Sequence, residues 1–178
     1  MKTINVSISG LTPLLMNNPA QMTRDVKTGR ANIRPTPEED AQKSAYIDKD
    51  GRFYIPGRCV YSFILASASG YKLGKRSAVA TLAGCVRVEP EEIVLEEKSY
   101  EIDLRRVVIQ KQGILKARAK FNKWHCSFKI IYDDSWIPKD DFIRQIFEDG
   151  GRRVGLLDYR PAKRGPYGTF EVVKWELI

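Results

Sequence analysis

Histidine and cysteine, the residues that most often carry metal or nucleophilic chemistry, are scarce in this chain of 178 residues: one histidine, His125, and three cysteines, Cys59, Cys85 and Cys126. No two cysteines form a CxxC pair and their number is odd, which argues against a thiolate zinc site and a disulfide framework. They read as small buried hydrophobes of a reducing compartment. His125 has no nucleophile beside it in sequence, so imidazole catalysis would need a partner supplied by the fold. No DxDxDG run is present to bind a cation. Gly74-Lys75-Arg76-Ser77 is not a P-loop, because Arg76 interrupts it and the glycine required five residues earlier is absent. No cofactor and no metal are therefore expected. No apolar run approaches the roughly 20 residues of a membrane helix. The opening residues alternate polar and apolar, which suits a strand and not an export signal. The expectation is a cytoplasmic chain with no membrane partner, free of repeats and low-complexity tracts.

Positive charge is abundant. Lys and Arg number 30 against 22 Asp and Glu, a net charge of +8. The cations are gathered, not interspersed. Residues 105–124 hold Arg105, Arg106, Lys111, Lys116, Arg118, Lys120 and Lys123 with no acidic residue. Residues 150–168 hold Arg152, Arg153, Arg160, Lys163 and Arg164 against Asp158 alone. Acidic residues collect elsewhere, at Glu38-Glu39-Asp40, from Glu89 to Glu97, and at Asp133-Asp134. Such clustering favours a face for a polyanion over an ordinary solvated surface.

The apolar pattern predicts an α+β fold. Ile4, Val6 and Ile8 alternate as a first strand ended by Gly10. Residues 17–50 form a long excursion with a short helix after Pro37, whose Glu38, Glu39 and Asp40 suit the positive helix end. Arg52 to Ile55 is a short strand, and Pro56-Gly57 opens a helix striped by Val60, Phe63, Ile64 and Ala68, with Gly70 as its stop. Val86 to Val88, Ile93 to Leu95 and the run Val107-Val108-Ile109 are strands. Residues 111–120 read as a mobile basic hairpin or loop. Trp124, Cys126, Phe128 and Ile130 make one face of a strand. A helix from about Lys139 carries Phe142, Ile143, Ile146 and Phe147 and is expected to end at Gly150-Gly151. Val154 to Leu157 is a short strand or extended segment, a Gly-, Pro- and Arg-rich loop spans 158–168, and Phe170 to Leu177 closes the chain as a strand. The order suggests helices on one face of an antiparallel sheet, as in ferredoxin-like folds. It also suggests a single domain, 1–178, with an insertion at about 17–50 and a basic hairpin or loop at about 110–123.

Three cationic groups carry the candidate site. Lys116, Arg118 and Lys120 alternate with small residues, so in extended form they share one face and can track a phosphate backbone, with Phe121 or Trp124 stacking on a base. Lys123 extends that row. Arg152, Arg153, Arg160, Lys163, Arg164 and Tyr167 lie among glycines, which let backbone approach a ligand closely while arginines offer bidentate phosphate contacts. Lys75 and Arg76, at a loop–helix junction, are a further anion site.

Two segments together resemble the repeat-associated mysterious protein (RAMP) superfamily of CRISPR systems. Phe53-Tyr54-Ile55-Pro56-Gly57-Arg58 running into a helix is similar to that family's strand, Pro-Gly and first helix. Gly165-Pro166-Tyr167-Gly168-Thr169-Phe170-Glu171-Val172 resembles its glycine-rich loop and closing strand. The start, Ile4 to Leu14, looks like its first strand and the turn after it. The chain departs from the family in carrying Arg58-Cys59 where a Ser-Ser pair is usual, and in being short, as a compact viral or plasmid-borne relative would be. The resemblance implies an RRM-like core with insertions that hold guide RNA, assembling side by side along the strand, and adds Arg58 to the candidate site. The first expectation is thus a non-catalytic subunit that binds single-stranded RNA, or single-stranded DNA, as a homo-oligomer or within a ribonucleoprotein. A metal-independent endoribonuclease using His125 or Tyr167 is a second reading. A viral structural or inhibitor protein acting by protein binding is a third.

Overall fold

The computed structural model describes residues 1–19, 35–109, 112–137 and 139–178. In chain order the elements are β1 (Lys2–Gly10), β2 (Leu14–Leu15), α1 (Pro37–Ser44), β3 (Tyr54–Pro56), α2 (Gly57–Ser67), β4 (Lys72–Leu73), β5 (Arg76–Ser77) and α3 (Ala78–Cys85). There follow β6 (Val86–Glu89), β7 (Glu92–Val94), β8 (Glu101–Ile109), β9 (Gln112–Phe121), β10 (His125–Tyr132), α4 (Asp140–Arg153), a 3₁₀ turn at Pro161–Lys163 and β11 (Phe170–Leu177). The result is a mixed α+β arrangement with antiparallel sheets.

The largest sheet has four strands in the order β11–β1–β10–β6, antiparallel throughout. Its buried face follows from strand alternation. Ile4, Val6 and Ile8 of β1 stand opposite Ile130, Phe128 and Cys126 of β10, and all six are buried. The other face is polar, with the Ser7 and Ser127 hydroxyls 2.9 Å apart. On β11 the inward residues Val172 and Trp175 are three apart. A bulge beside Ser7 and Ile8 turns the intervening Val173 outward and restores the alternation.

Helices α2 and α4 cover the buried face. Val60, Phe63, Ile64 and Ser67 recur at helical spacing on α2, and Ile143, Ile146, Phe147, Gly150 and Gly151 on α4. Phe63 and Phe147 meet at 5.1 Å, and Phe147 also meets Phe128 and Trp175 of the sheet. The expectation that Gly150-Gly151 ends the second helix is overturned: α4 continues to Arg153. These glycines are packing surface. A Cβ at Gly150 would lie 2.0 Å from Ser67 Oγ, and one at Gly151 would lie 2.7 Å from the Phe170 carbonyl. The chain tolerates the lower helix propensity of glycine because the neighbouring elements leave no room for a side chain. Val154 to Leu157 is correspondingly not a strand. Val154 closes α4, its N–H donating to the Gly150 carbonyl at 2.7 Å.

A second sheet, β2–β9–β8, contains the basic segment. Of the two readings, hairpin or loop, the pairing agrees with the hairpin: Gln112–Phe121 is a strand, antiparallel to β8 from Glu101↔Lys120 to Ile109↔Gln112. Residues 110 and 111 lie outside the described residues. The edge of β9 that β2 leaves open is covered by α1. Asp40 accepts from the Ala117 N–H at 2.9 Å, and Ser44 Oγ accepts from the Ala119 N–H at 2.7 Å. The expected short helix after Pro37 is this α1, started by a Thr36–Glu39 capping box. Most of the remaining 17–50 excursion, residues 20–34, lies outside the described residues. One cluster of buried side chains links the four-stranded sheet and its helices to Tyr46, Phe53, Ala119 and Phe121. No helix among the described residues is long and apolar enough to cross a membrane.

Candidate nucleic-acid interface

The chain leaves α4 into a loop whose backbone is unusual. Leu157, Tyr159 and Arg164 have φ of 59°, 49° and 59°, and they are the positive-φ residues other than glycine among the described residues. Gly155 and Gly168 bracket them at 70° and 72°. Such conformations are costly for L-residues and persist only where the surroundings over-determine them. Here they do. The Leu156 N–H donates to the Gly168 carbonyl at 2.8 Å, the Tyr167 N–H to the Tyr159 carbonyl at 3.1 Å and the Gly165 N–H to the Arg160 carbonyl at 3.0 Å. A Cβ at Gly165 would lie 1.9 Å from the Tyr159 carbonyl oxygen. The loop is thus a rigid device that presents Arg160, Lys163 and Arg164. Lys163 and Arg164 are exposed, and among the described residues neither forms an ion pair.

Arg160 lines a cavity of about 320 Å³ together with Arg58, Cys59, Ser62 and Leu157. Arg58 stands in the first turn of α2, which has no side-chain cap and whose Gly57 N–H donates to the Glu91 carbonyl at 2.6 Å. One arginine from the helix and one from the loop therefore line the same space, with the Arg160 guanidinium donating to the Leu157 carbonyl at 2.6 Å. Burial pushes the Cys59 thiol up from its ordinary pKa against the pull of Arg58 and Arg160, so it stays protonated at neutral pH.

The β9 row lies on one face, as alternation requires, but the register with β8 sets carboxylates against it. Lys120 pairs with Glu101 at 3.1 Å. Arg118 bonds Asp103 at 3.3 Å and, across to the glycine-bearing loop, Asp158 at 2.7 Å; its side chain is 9% exposed. Arg118 therefore does not present its charge to solvent. Buried charges must be paired, and this one ties the hairpin base to the loop. Lys116 stands opposite Arg105 and donates to Asn17 Oδ1 at 2.8 Å. That rung alone has cations on both strands. Arg105 is held by Asp103 at 2.8 Å and donates to the Tyr167 hydroxyl.

Phe121 and Trp124 are not available to stack on a base. Both are buried, and the Trp124 indole N–H donates to the Thr12 carbonyl at 2.9 Å.

The other expected cations lie apart from the cavity. The eleven residues of α2 span about 16 Å. Arg153, which donates to the Ser67 carbonyl at 3.0 Å and pairs with Asp149, is at the far end of α2 from Arg58. Arg152 sits beside it on α4. Lys75 and Arg76 belong to the β4–β5 hairpin beyond the same end, with the Arg76 guanidinium 5.7 Å from the Trp136 ring centre. Lys123 is exposed in the β9–β10 turn.

The sequence reading missed Arg105, Asp158 and Tyr159. Arg105 sits in the basic segment but outside the alternating row. Only the strand register shows it opposite Lys116 and beside the loop.

His125, half-exposed at the start of β10, has its Nδ1 3.1 Å from Glu97 Oε1. Among the described residues no group of histidine, cysteine and carboxylate side chains is placed to hold a metal ion.

No family model and no curated protein matches this chain. Among solved structures it is similar to a chain of the Type III-B Cmr-beta complex bound to cognate target RNA, with a TM-score of 0.66 and 14% identity. The likeness covers 99% of this chain and 60% of that one, so the chain spans about three fifths of its neighbour's length. At this identity the likeness is one of fold.

Proposed function

We propose that this chain is a non-catalytic subunit that binds single-stranded RNA in a CRISPR-type ribonucleoprotein, built on a ferredoxin-like (RRM-like) core of the RAMP kind. The core reading is supported by connectivity. Strand β1, helix α2, strands β6 and β10, helix α4 and strand β11 form a β-α-β-β-α-β path with strand order fourth, first, third, second. The neighbour of similar fold comes from an RNA-bound complex.

The observation that carries the binding reading is the convergence of Arg58 and Arg160 on one cavity, with Lys163 and Arg164 in the same rigid loop and Arg105 reaching that loop through Tyr167. Cations fixed on a preorganised backbone contact phosphate at little entropic cost. Assembly along the strand is supported by the opposite face of the β8–β9 hairpin, where Ile102, Leu104, Val108 and Leu115 are exposed together.

The test is purification followed by extraction and sequencing of any bound nucleic acid, then titration with a single-stranded oligoribonucleotide across salt. The logarithm of affinity should fall with the logarithm of salt concentration, with a slope of about −0.7 per phosphate contacted. A flat profile rules the reading out.

The His125–Glu97 pair is the observation that favours the ribonuclease reading. Reproducible RNA cleavage by the pure protein that is lost in His125→Ala would put that reading first. The proposal expects no such activity.

A further inference from the structure

Tyr159 is an oddity of the loop that phosphate binding does not explain. It is a bulky residue in the left-handed region, at φ 49°, where glycine or asparagine is the easy choice. Burial does not reward the strain, because the residue is 38% exposed. The ring is nonetheless immobilised. It packs edge-on against Tyr167, with ring centres 5.9 Å apart and planes at 73°. Tyr167 is held through its hydroxyl by Arg105, and Arg105 by Asp103. The Arg105 guanidinium lies 6.0 Å from the Tyr159 ring centre and 5.3 Å from that of Tyr167. Three flat groups are thus fixed together and partly open to solvent. Arg160, the next residue, turns into the cavity it shares with Arg58.

We propose that Tyr159, braced by Tyr167 and Arg105, is the stacking platform for one unpaired nucleobase, with the adjoining phosphate held by Arg160 and Arg58. This rests on the RNA-binding reading above and adds a base contact to its phosphate contacts. A held aromatic ring partly exposed to solvent, beside a cation, is an arrangement on which an unpaired base can stack, and every base offers a π-face, so the contact is sequence-tolerant. The left-handed backbone is accounted for as well, since a ring fixed in advance loses little conformational entropy when the base arrives.

The test uses the full chain and a single-stranded oligoribonucleotide carrying the fluorescent base 2-aminopurine. Binding should quench the fluorophore. Tyr159→Phe keeps the ring and should bind and quench like the unchanged protein. Tyr159→Asn removes the ring while keeping a residue that accepts the left-handed backbone. It should lose the quenching and bind about ten-fold more weakly, with an unchanged salt slope because every phosphate stays engaged. Equal binding and quenching by Tyr159→Asn overturns the platform while leaving the RNA-binding reading intact. A reduced salt slope in that variant also overturns it, since the ring would then be serving only to position Arg160. An unchanged protein that binds no single strand overturns the parent reading and this one with it. Photocrosslinking of a 5-iodouridine strand to the unchanged protein needs no variant. The adduct should map to Tyr159, and adducts confined to other residues overturn the proposal.

Discussion

The row on β9 and the loop at 155–168 look alike as sequence, each a cluster of cations among small residues, and the fold treats them in opposite ways. On β9, pairing with β8 brings Glu101 and Asp103 against Lys120 and Arg118, and Asp158 completes the enclosure of Arg118. In the loop no strand among the described residues is paired in register alongside. Its one acid, Asp158, is turned to Arg118, which leaves Arg160, Lys163 and Arg164 without a carboxylate partner among the described residues. A charge cluster in one stretch of chain is therefore not a charged surface. What matters is which residues the neighbouring backbone sets opposite it.

The largest effect that sharpens this contrast should come from Arg118→Ala. It leaves the buried Asp103 carboxylate with Arg105 as its remaining arginine and removes the partner of Asp158, at a cost of about 1–3 kcal/mol in unfolding free energy, read from denaturant midpoints. If Arg118 were a phosphate ligand instead, the same variant would unfold normally and lose affinity, and the contrast would collapse.

Next in size is the charge-neutralised loop, Arg160→Gln with Lys163→Gln and Arg164→Gln. It should weaken binding to every sequence tested and reduce the salt slope by about 2, that is about 0.7 for each phosphate no longer engaged. Neutralising Lys116 and Lys120 should cost less, since Lys120 already has Glu101. A triple of exposed lysines elsewhere, Lys49, Lys98 and Lys139, should cost least although it removes the same net charge as the loop variant. Equal losses from loop and control would mean that generic basicity, and not a site, drives binding. Thermal unfolding should barely move in the control triple, because exposed charge changes usually stay within about 0.5 kcal/mol.

The smallest effect runs the other way. Hydrogen bonds from Asn122 and Lys120 hold the Glu101 carboxyl below the usual glutamate range. A depressed folded pKa contributes stability above the unfolded value and loses it as pH falls through the folded one, so acid should loosen this rung. Glu101→Gln should do the same at neutral pH, freeing Lys120 and strengthening single-strand binding slightly. The titration is by fluorescence at constant salt. Weaker binding by Glu101→Gln would mean that Lys120 is more useful to the ligand when held by Glu101 than when free.

Much of the fold was legible. The alternation of Ile4, Val6 and Ile8 and of Cys126, Phe128 and Ile130 announced two strands, whose pairing only the structure shows, and the stripes on α2 and α4 announced the helices that cover them. Gly150-Gly151 misled because its meaning lies in Ser67 and Phe170, which no local pattern mentions. The candidate site was legible in part. Arg58 and Arg160 are separate candidates along the chain and converge in the fold, whereas Phe121 and Trp124 belong to the core. Arg105 and Tyr159 gained their significance only from their neighbours.

Sequence by itself determined which face of β1, β10, α2 and α4 is buried, because the periods of strand and helix turn residue spacing directly into direction. It also determined that the chain carries excess positive charge in two stretches. Only the tertiary structure decided which of those charges are compensated. Compensation depends on strand register and loop closure, which join Arg118 to Asp103 across 15 residues and to Asp158 across 40. A Coulomb interaction acts on distance in space, and distance along the chain does not predict it.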